Sequence, residues 1–426
     1  MDDRLQPPEG GDQVTELGGR RRAAVGFVFA VAVMDVLATG LVIPVLPQLV
    51  KAFNHGDTAA AARYFGAFGL IFGVMQFFAS PVLGALSDRF GRRPVILTSI
   101  IGLGLDYFLM ALSPTIGWLF VGRMISGVTA ATFSTAAAYV ADITPPDKRA
   151  KAFGLMGSAF GIGFTIGPTL GGFLGGIDLR LPFWVAGGLA LVNGLYGLFV
   201  LPESLPVSRR APFVLKKANP IGSFELLRSQ PDLLGLAAII FLYFLAHQVL
   251  QSSMALYTNY RYGWGPQMLG LNLLGVGVGN ILVQAFVVGP FVARFGERGA
   301  LYTGLTAGAI GFLIYGTATT SLQFWLGLPI FSLMGLTQPG YQGMMSRRVG
   351  PTQQGRLQGA NAGLMALAGI IGPVLFTQVF AWSITPPGHG LGDGTTLFMS
   401  VAMMATGLVL ALSQARPRRA VAAPGS

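Results

Sequence analysis

Long apolar runs separated by short polar stretches recur along the whole chain. Twelve of these runs, each of roughly 19–27 residues, are long enough to cross a bilayer as helices. They begin near residues 24, 64, 95, 115, 152, 182, 234, 268, 300, 323, 357 and 395. The polar stretch 1–22 is followed by no small-residue cleavage site, so we interpret the first run as a retained span and not as a signal peptide. The pattern predicts an all-α membrane protein with twelve transmembrane helices.

Composition supports this class and excludes others. Hydrophobic residues make up 52% of the 426 residues and charged residues only 11%. The chain has no cysteine, so it can form neither a disulfide framework nor a thiolate metal site. Its net charge of +11 does not indicate nucleic-acid binding, because the basic residues lie in short loops and not in a stripe with interleaved aromatics.

The positive charges indicate the topology. Of the 28 Lys and Arg residues, Arg123 lies inside a span and four lie in odd-numbered loops, namely Lys51, Arg63, Arg180 and Arg261. The other 23 lie in the termini and the even-numbered loops. Because cytoplasmic loops carry an excess of Lys and Arg, both termini are predicted to be cytoplasmic.

The two halves of the chain are related. "DRFGRRPVILT" (88–98) matches "ARFGERGALYT" (293–303) at an offset of 205, and the same offset takes Gly167-Pro168 onto Gly372-Pro373. We therefore predict two pseudo-symmetric six-helix bundles, 23–201 and 233–413. They are joined by a cytoplasmic linker, 202–232, and flanked by cytoplasmic tails, 1–22 and 414–426. Such a parallel repeat is the architecture of transporters that bind substrate between their halves near the midplane.

Three charged residues are predicted inside the apolar runs at a similar depth. At 1.5 Å per helical residue, Asp35 lies roughly 18 Å beyond the cytoplasmic end of span 1 and Asp106 roughly 20 Å along span 3. Arg123 lies roughly 12 Å below the outer end of span 4, which in a core of about 30 Å is near the same level. A carboxylate away from water binds a proton more readily, and a nearby arginine opposes this, so the group could couple proton exchange to transport. The alternative is a structural ion pair or backbone cap for either aspartate, with Arg123 holding two helices together.

The loop after the second run carries a charged motif that predicts a conformational latch. Its residues are Gly84, Asp88, Arg89, Gly91, Arg92 and Arg93. We expect charge-assisted bonds at the cytoplasmic ends of spans 2 and 11 that hold one state and break in the other. Alternatively, the arginines only mark topology. The repeat has Ala293 in place of Asp88, which favours a one-sided latch.

Span 5 carries small residues at helical spacing, which predicts close helix packing around a proline kink. These residues are Gly163, Gly167, Pro168, Gly171 and Gly172. Polar residues in spans 4, 7 and 8 predict a substrate cavity. They are Ser134, Tyr243, His247, Gln251, Asn280 and Gln284. His247 can titrate near neutral pH, although a lone histidine in a span is commonly a hydrogen-bonded packing residue.

Several of these segments resemble a known family. "GALSDRFGRRP" (84–94) is similar to the signature loop of the major facilitator superfamily, and "GIGFTIGPTLGG" (161–172) is similar to the span 5 motif of its antiporters. "MDVLATGLVIPVLPQL", "LDYFLMAL", "GRMISGVTAATFSTAAAYVADI", "LPES" and "RLQGANAGLMALAGIIGPVLF" resemble the tetracycline/H⁺ antiporter group.

This resemblance implies a major facilitator fold, drug export by proton antiport through Asp35, Asp106 and Arg123, and a span 5 helix that seals the path against proton leak. Two matched positions depart from the group, because Asn280 stands in place of a histidine and Gly308 in place of an acidic residue.

Other function classes lack their motifs. The chain has neither a zinc-binding histidine pair nor a nucleophile–base constellation, and no phosphate-binding loop that would indicate an ATP-driven pump. We therefore expect no catalytic residues, metal or cofactor. The sequence predicts a monomeric, proton-coupled exporter of small amphipathic compounds in a plasma or bacterial inner membrane. A sugar or metabolite symporter of the same fold and a non-transporting receptor remain as alternatives.

Overall fold

Helices account for almost all of the computed structural model. It describes residues 29–130, 132–145, 148–212, 231–350, 353–386 and 390–414, and this part of the chain contains no β-strand. The two tails and most of the linker therefore lie outside the described residues.

The first half contains six helices that match the first six apolar runs. They are α1 (Phe29–Phe53), α2 (Thr58–Phe90), α3 (Arg92–Leu112), α4 (Ile116–Thr129 and Thr132–Ile143), α5 (Arg149–Ile177) and α6 (Leu181–Val200). The end of the first of the two α4 pieces at Thr129 was not predicted from the hydrophobic pattern.

The second half repeats this order with more interruptions. Its helices are α7 (Pro231–Ser252 and Met254–Tyr262), α8 (266–295, with a π-helical turn at Val283–Val287), α9 (297–317), α10 (Ser321–Ser332, a 3₁₀ segment Leu333–Leu336, and Thr337–Ser346), α11 (Gln354–Ile384) and α12 (Thr395–Gln414). The count agrees with the twelve predicted helices and confirms the predicted fold class.

Two glycines show the internal repeat in the backbone. Gly296, with φ of 70°, breaks the continuous stretch Val288–Thr317 and so separates α8 from α9. Gly91, with φ of 106°, separates α2 from α3, and it lies 205 residues earlier. Because side chains rarely adopt positive φ, a glycine suits both turns.

Helix length and hydropathy agree with a membrane-spanning bundle. In the described ranges, nine helical stretches are long and apolar enough to cross a membrane. One of them, Pro266–Thr317, contains both α8 and α9, whereas α4 and α10 are divided into shorter pieces. The protein is thus a multi-pass membrane protein.

The two halves meet through α2 with α11 and through α5 with α8. Both contacts lie toward the face that carries the α1–α2 loop, which we call the closed face. There, a Cβ added to Gly73 would lie 3.1 Å from Ile370, and one added to Gly270 would lie 3.1 Å from the Cα of Gly172.

The opposite face carries the start of α1 and the end of α12, and we call it the terminal face. Near it, a Cβ added to Gly84, Gly154 or Gly157 would meet nothing within 4 Å among the described residues. The close contacts between the halves named above thus lie toward the closed face.

Candidate functional site

Asp106 lies inside the N-terminal half, at the contact between α3 and α4. Only 1% of its surface is exposed, and Ser126 on α4 donates a hydrogen bond to its Oδ2. Its Oδ1 has no hydrogen-bond partner among the described residues. Gly122 leaves room for this oxygen, since a Cβ there would lie 3.0 Å from it. Asp106 is therefore a buried carboxylate that is only half satisfied.

Asp35 on α1 is half-buried and borders a small cavity of about 30 Å³ inside the same half. The rest of the lining is almost entirely apolar and comes from α1, α3, α4, α5 and Leu201, which follows α6. Space of this size holds about one water molecule. The backbone oxygen of Asp35 accepts a hydrogen bond from Thr39 Oγ1 at 3.1 Å.

Arg123 on α4 makes a cation–π contact, with its guanidinium carbon 4.4 Å from the ring centre of Phe72 on α2. Among the described residues, the ion pairs within 4.0 Å do not include Arg123, Asp35 or Asp106. The alternative of a direct structural ion pair is therefore not seen in this conformation.

Tyr107 links these three charged residues, although the sequence analysis did not select it. Its phenol donates a hydrogen bond to Thr39 Oγ1 at 3.3 Å, and it interacts electrostatically with Asp35, Asp106 and Arg123. The depth estimate placed Asp35, Asp106 and Arg123 at one level. In the structure all three lie near Tyr107. The position of Tyr107 next to Asp106 was the available sequence signal.

The polar residues of the second half form two groups. On α7, Tyr243 lies with its ring centre 6.2 Å from that of His247 and 6.3 Å from that of Tyr341 on α10. On α8, Asn280 and Gln284 are exposed, and Gln284 Nε2 donates to the backbone oxygen of Gly335 at 3.3 Å.

The remaining predicted cavity residues add little to these groups. Gln251 is exposed, and the side chain of Ser134 lies outside the described residues. Tyr341 and Gly335 were not predicted. Gly335 lies in the 3₁₀ segment of α10, and Tyr341 lies in the α-helical piece that follows it.

Arg92 is the centre of the charged loop motif. It lies 2.6 Å from Asp88 and 3.1 Å from Asp142 at the end of α4, and it also bonds Ser87 Oγ at 2.6 Å. The backbone N–H groups of Arg92 and Arg93 donate to the Glu203 carboxylate at 2.9 and 3.3 Å. All of these contacts lie within the first half and its linker.

In this conformation we find no contact between the described residues of this motif and those of α11. Arg89 is exposed and lies over the ring of Phe90, and a Cβ added to Gly84 would meet nothing within 4 Å. The latch therefore stays a prediction for the state in which the terminal face is closed.

Two partners of the loop motif, Asp142 and Glu203, were missed by the sequence analysis. The internal repeat contained a signal for Asp142. The offset of 205 takes Arg92 to Glu297 and Asp142 to Arg347, and these two also form an ion pair, at 2.9 Å. Each half thus contains an ion pair at the same place, with the charges exchanged.

The small residues of α5 pack as predicted. Gly163 and Gly171 face α1, and a Cβ on Gly167 would lie 2.9 Å from the Cα of Gly40 there. Gly172 faces α8 at Gly270, and Pro168 lies inside a continuous helix. Gly40 and Gly270, the partner glycines, were not predicted.

Gly308 on α9 is a packing position. A Cβ there would lie 3.0 Å from Met334, so a larger side chain would need the neighbours to move. The departure from the acidic residue of the resembling group therefore agrees with the apolar packing around it.

Comparison with known proteins gives one consistent result. Residues 28–373 match the family model described as Major Facilitator Superfamily. The tetracycline resistance protein, class C, of Escherichia coli is 40% identical over 84% of this chain and 89% of its own length. The class B protein of the same organism is 34% identical over 83% of this chain and 88% of its own length.

Solved structures show the same fold. The human organic anion transporter MFSD10 (TETRAN) has a TM-score of 0.67 and 25% identity, covering 95% of this chain and 100% of its own. The nucleoside transporter NupG has a TM-score of 0.70 at 14% identity, covering 92% of this chain and 98% of its own, and this second likeness concerns the fold alone.

Proposed function

Since this chain belongs to the Major Facilitator Superfamily, we propose that it exports small amphipathic compounds in exchange for protons. Membership of this family makes the chain a multi-pass membrane transporter and not an enzyme. It therefore carries a small-molecule substrate across the membrane.

The observation that carries the proton coupling is the state of Asp106. This carboxylate is buried, accepts one hydrogen bond, and has no ion-pair partner in the described structure. A carboxylate in such surroundings is costly when ionised and less costly when protonated. Asp35, on the other side of Tyr107, is the second proton-coupling candidate, and Arg123 is close enough to influence Asp106 electrostatically.

The terminal face corresponds to the cytoplasm, because the loops on this side carry most of the Lys and Arg residues. On this placement we propose a monomer in a plasma or bacterial inner membrane, with both termini cytoplasmic and with the substrate cavity open to the cytoplasm in this state. In this state an exporter takes up its substrate. Protonation from outside, after the halves rearrange, would complete the exchange.

The substrate cavity lies between the two polar groups of the second half and the Arg123–Phe72 pair. Aromatic rings with a few polar groups suit an amphipathic molecule. Tetracycline is the first compound to test, because relatives at 40% and 34% identity are named tetracycline resistance proteins. Asn280 is the matched position at which this chain differs, so related amphipathic compounds belong in the same screen.

The test combines susceptibility with proton movement. Expression in a pump-deficient bacterial host should raise resistance to tetracycline or another compound of the screen. Everted vesicles from these cells should lose part of their imposed proton gradient when that compound is added, and vesicles with Asp106→Asn should not. A compound that accumulates inside energised cells would instead indicate symport. Resistance without substrate-induced proton movement would refute the antiport proposal.

A further inference from the structure

The two proton-coupling candidates, Asp35 and Asp106, lie on different helices. Among the described residues, no hydrogen bond or ion pair joins their side chains. If both carboxylates take part in one transport cycle, a group between α1 and α3 has to relate the state of one to the state of the other. Tyr107, which is 2% exposed, lies at this place and has no role yet in the proposed exchange.

A chain of two hydrogen bonds runs from α3 to α1 at this level. The Tyr107 hydroxyl donates to Thr39 Oγ1 at 3.3 Å, and the Thr39 hydroxyl donates to the backbone oxygen of Asp35 at 3.1 Å. Tyr107 directly follows Asp106 in the sequence. The chain therefore joins the neighbour of one carboxylate to the backbone of the other.

The Tyr107 hydroxyl is also in a position to respond to charge, because it interacts electrostatically with Asp35, Asp106 and Arg123. A phenol has one donor, which Tyr107 uses for Thr39, and even in water it loses its proton only at about pH 10. In a protein interior, where the dielectric is low, nearby charges affect the strength of such a bond. A change in the ionisation of Asp106 therefore acts on the bond that ties α3 to α1.

The second half shows that the packing of these helices does not need a hydroxyl. The offset of 205 takes Tyr107 to Phe312, which is fully buried and packs on Phe331 of α10 with ring centres 5.2 Å apart. The same offset takes Asp106 to Gly311. The half that lacks the carboxylate thus also lacks the hydroxyl beside it, and its helices still pack closely.

We propose that Tyr107 is a positioning residue for proton exchange, because its hydrogen bond to Thr39 transmits the ionisation of Asp106 from α3 to α1, where Asp35 lies. Tyr107 keeps its own proton in this role. The inference rests on the proposed proton-coupled export and adds to it the residue that connects the two carboxylates.

The test measures proton-driven export in proteoliposomes as a function of pH and of substrate concentration, with tetracycline or another compound from the screen. Tyr107→Phe removes the donor and keeps the ring, and Thr39→Val removes the acceptor and keeps the shape. Each should lower the maximal export rate about fivefold, which corresponds to about 1 kcal/mol, the size of one hydrogen bond. The pH of half-maximal export should move by about 0.7, which is the same free energy expressed as protonation. The KM for the substrate should keep its value, because the bond acts on the proton site.

Two controls separate this role from packing. Thr39→Ser keeps a hydroxyl and should keep the wild-type pH dependence. Tyr257→Phe is the matched control, because Tyr257 is also buried and its hydroxyl donates to the backbone oxygen of Tyr315 at 2.8 Å, in the second half. It should keep both the export rate and its pH dependence. Thermal melting verifies folding, and the pair Thr39→Val and Thr39→Ser carries the test if Tyr107→Phe does not fold.

Three results would overturn the inference. The first is an unchanged pH dependence in Tyr107→Phe or Thr39→Val at any export rate, which would make Tyr107 a packing residue. The second is an equal change of the pH dependence in Tyr257→Phe. The third is the absence of proton-driven export in the wild type, which would overturn the proposed function as well. Export by the wild type together with normal pH dependence in the variants would overturn this inference alone.

Discussion

The Asp106→Asn variant separates a proton-exchanging carboxylate from a structural one. Asparagine keeps an oxygen that can accept the hydrogen bond from Ser126, so the helix contact between α3 and α4 is preserved. A charge-assisted bond of about 1.5–3 kcal/mol becomes a neutral one of about 0.5–1.5 kcal/mol, a loss of about 1–2 kcal/mol. Removing a buried charge that has no ion-pair partner also removes a desolvation penalty of several kcal/mol, which stabilises the folded protein. We expect the stability of the folded protein to be unchanged or higher.

Transport should respond in the opposite direction. Without a titratable group at Asp106, proton-driven export should fall by at least tenfold, which corresponds to about 1.4 kcal/mol in the coupling of protonation to the conformational change. The measurement uses proteoliposomes with an imposed pH gradient, with tetracycline or another compound from the screen as substrate. Thermal melting of the same preparations gives the stability.

The control is Asp57→Asn, which makes the same chemical change at the start of α2. Asp57 accepts bonds from the N–H groups of Ala59 and Ala60 at 2.8 and 3.0 Å, and asparagine caps helices equally well. This variant should keep both transport and stability.

Three results would contradict the reasoning. A loss of about 3–5 kcal/mol in the stability of Asp106→Asn would indicate a structural ion pair, with Arg123 left as an unpaired buried cation. Normal coupled export in Asp106→Asn, with export lost in Asp35→Asn, would move the proton site to α1. Normal coupled export in both variants would exclude a carboxylate mechanism.

Three further predictions concern the helix contacts and the loops. Gly167→Leu should lower the yield of folded protein or transport, because even a Cβ there would lie 2.9 Å from the Cα of Gly40, and overpacking costs about 1–3 kcal/mol; unchanged yield and transport would contradict this packing. Lys51→Ala removes the 2.7 Å bond from Lys51 Nζ to Asn259 across the closed face and should increase labelling of a single cysteine introduced beneath it, a clean measurement in a chain without cysteines. Asp88→Asn should reduce transport at equal expression, since it removes one of the acids that bind Arg92, and unchanged transport would refute the latch.

The fold could be predicted from the sequence because membrane spans leave a strong and local signal. Each apolar run had to be long enough to cross the hydrocarbon core, and the repeat independently divided the chain into two halves. The interruption of α10 could not be predicted in this way. Residues Leu333–Leu336 are apolar, like the helix Ser321–Ser332 before them, so hydropathy does not report where the 3₁₀ segment begins.

The depth of the candidate site in the membrane could be predicted from the sequence, but its side-chain contacts could not. Helical rise alone placed Asp35, Asp106 and Arg123 at one level, because depth in a span depends only on residue number. It could not tell that Asp106 faces Ser126 or that Arg123 stacks on Phe72, since rotation and neighbours of a helix are set by tertiary packing.

The distribution of ionic contacts explains how a small input of free energy could move the two halves. In the described structure, none of the four ion-pair contacts joins the two halves. Two lie around Arg92 in the first half. The other two lie in the second half, where Arg261 pairs with Asp393 and Arg347 with Glu297. Between the halves we find close glycine contacts, the bond from Thr169 Oγ1 to the backbone oxygen of Gly270 at 3.4 Å, and the bond from Lys51 to the uncharged side chain of Asn259. A neutral acceptor gives a hydrogen bond of about 0.5–1.5 kcal/mol, weaker than a charge-assisted pair. Each half can therefore move as a unit without breaking its ion pairs. Protonation of one buried carboxylate, which shifts energies by a few kcal/mol, is then large enough to change which face is open.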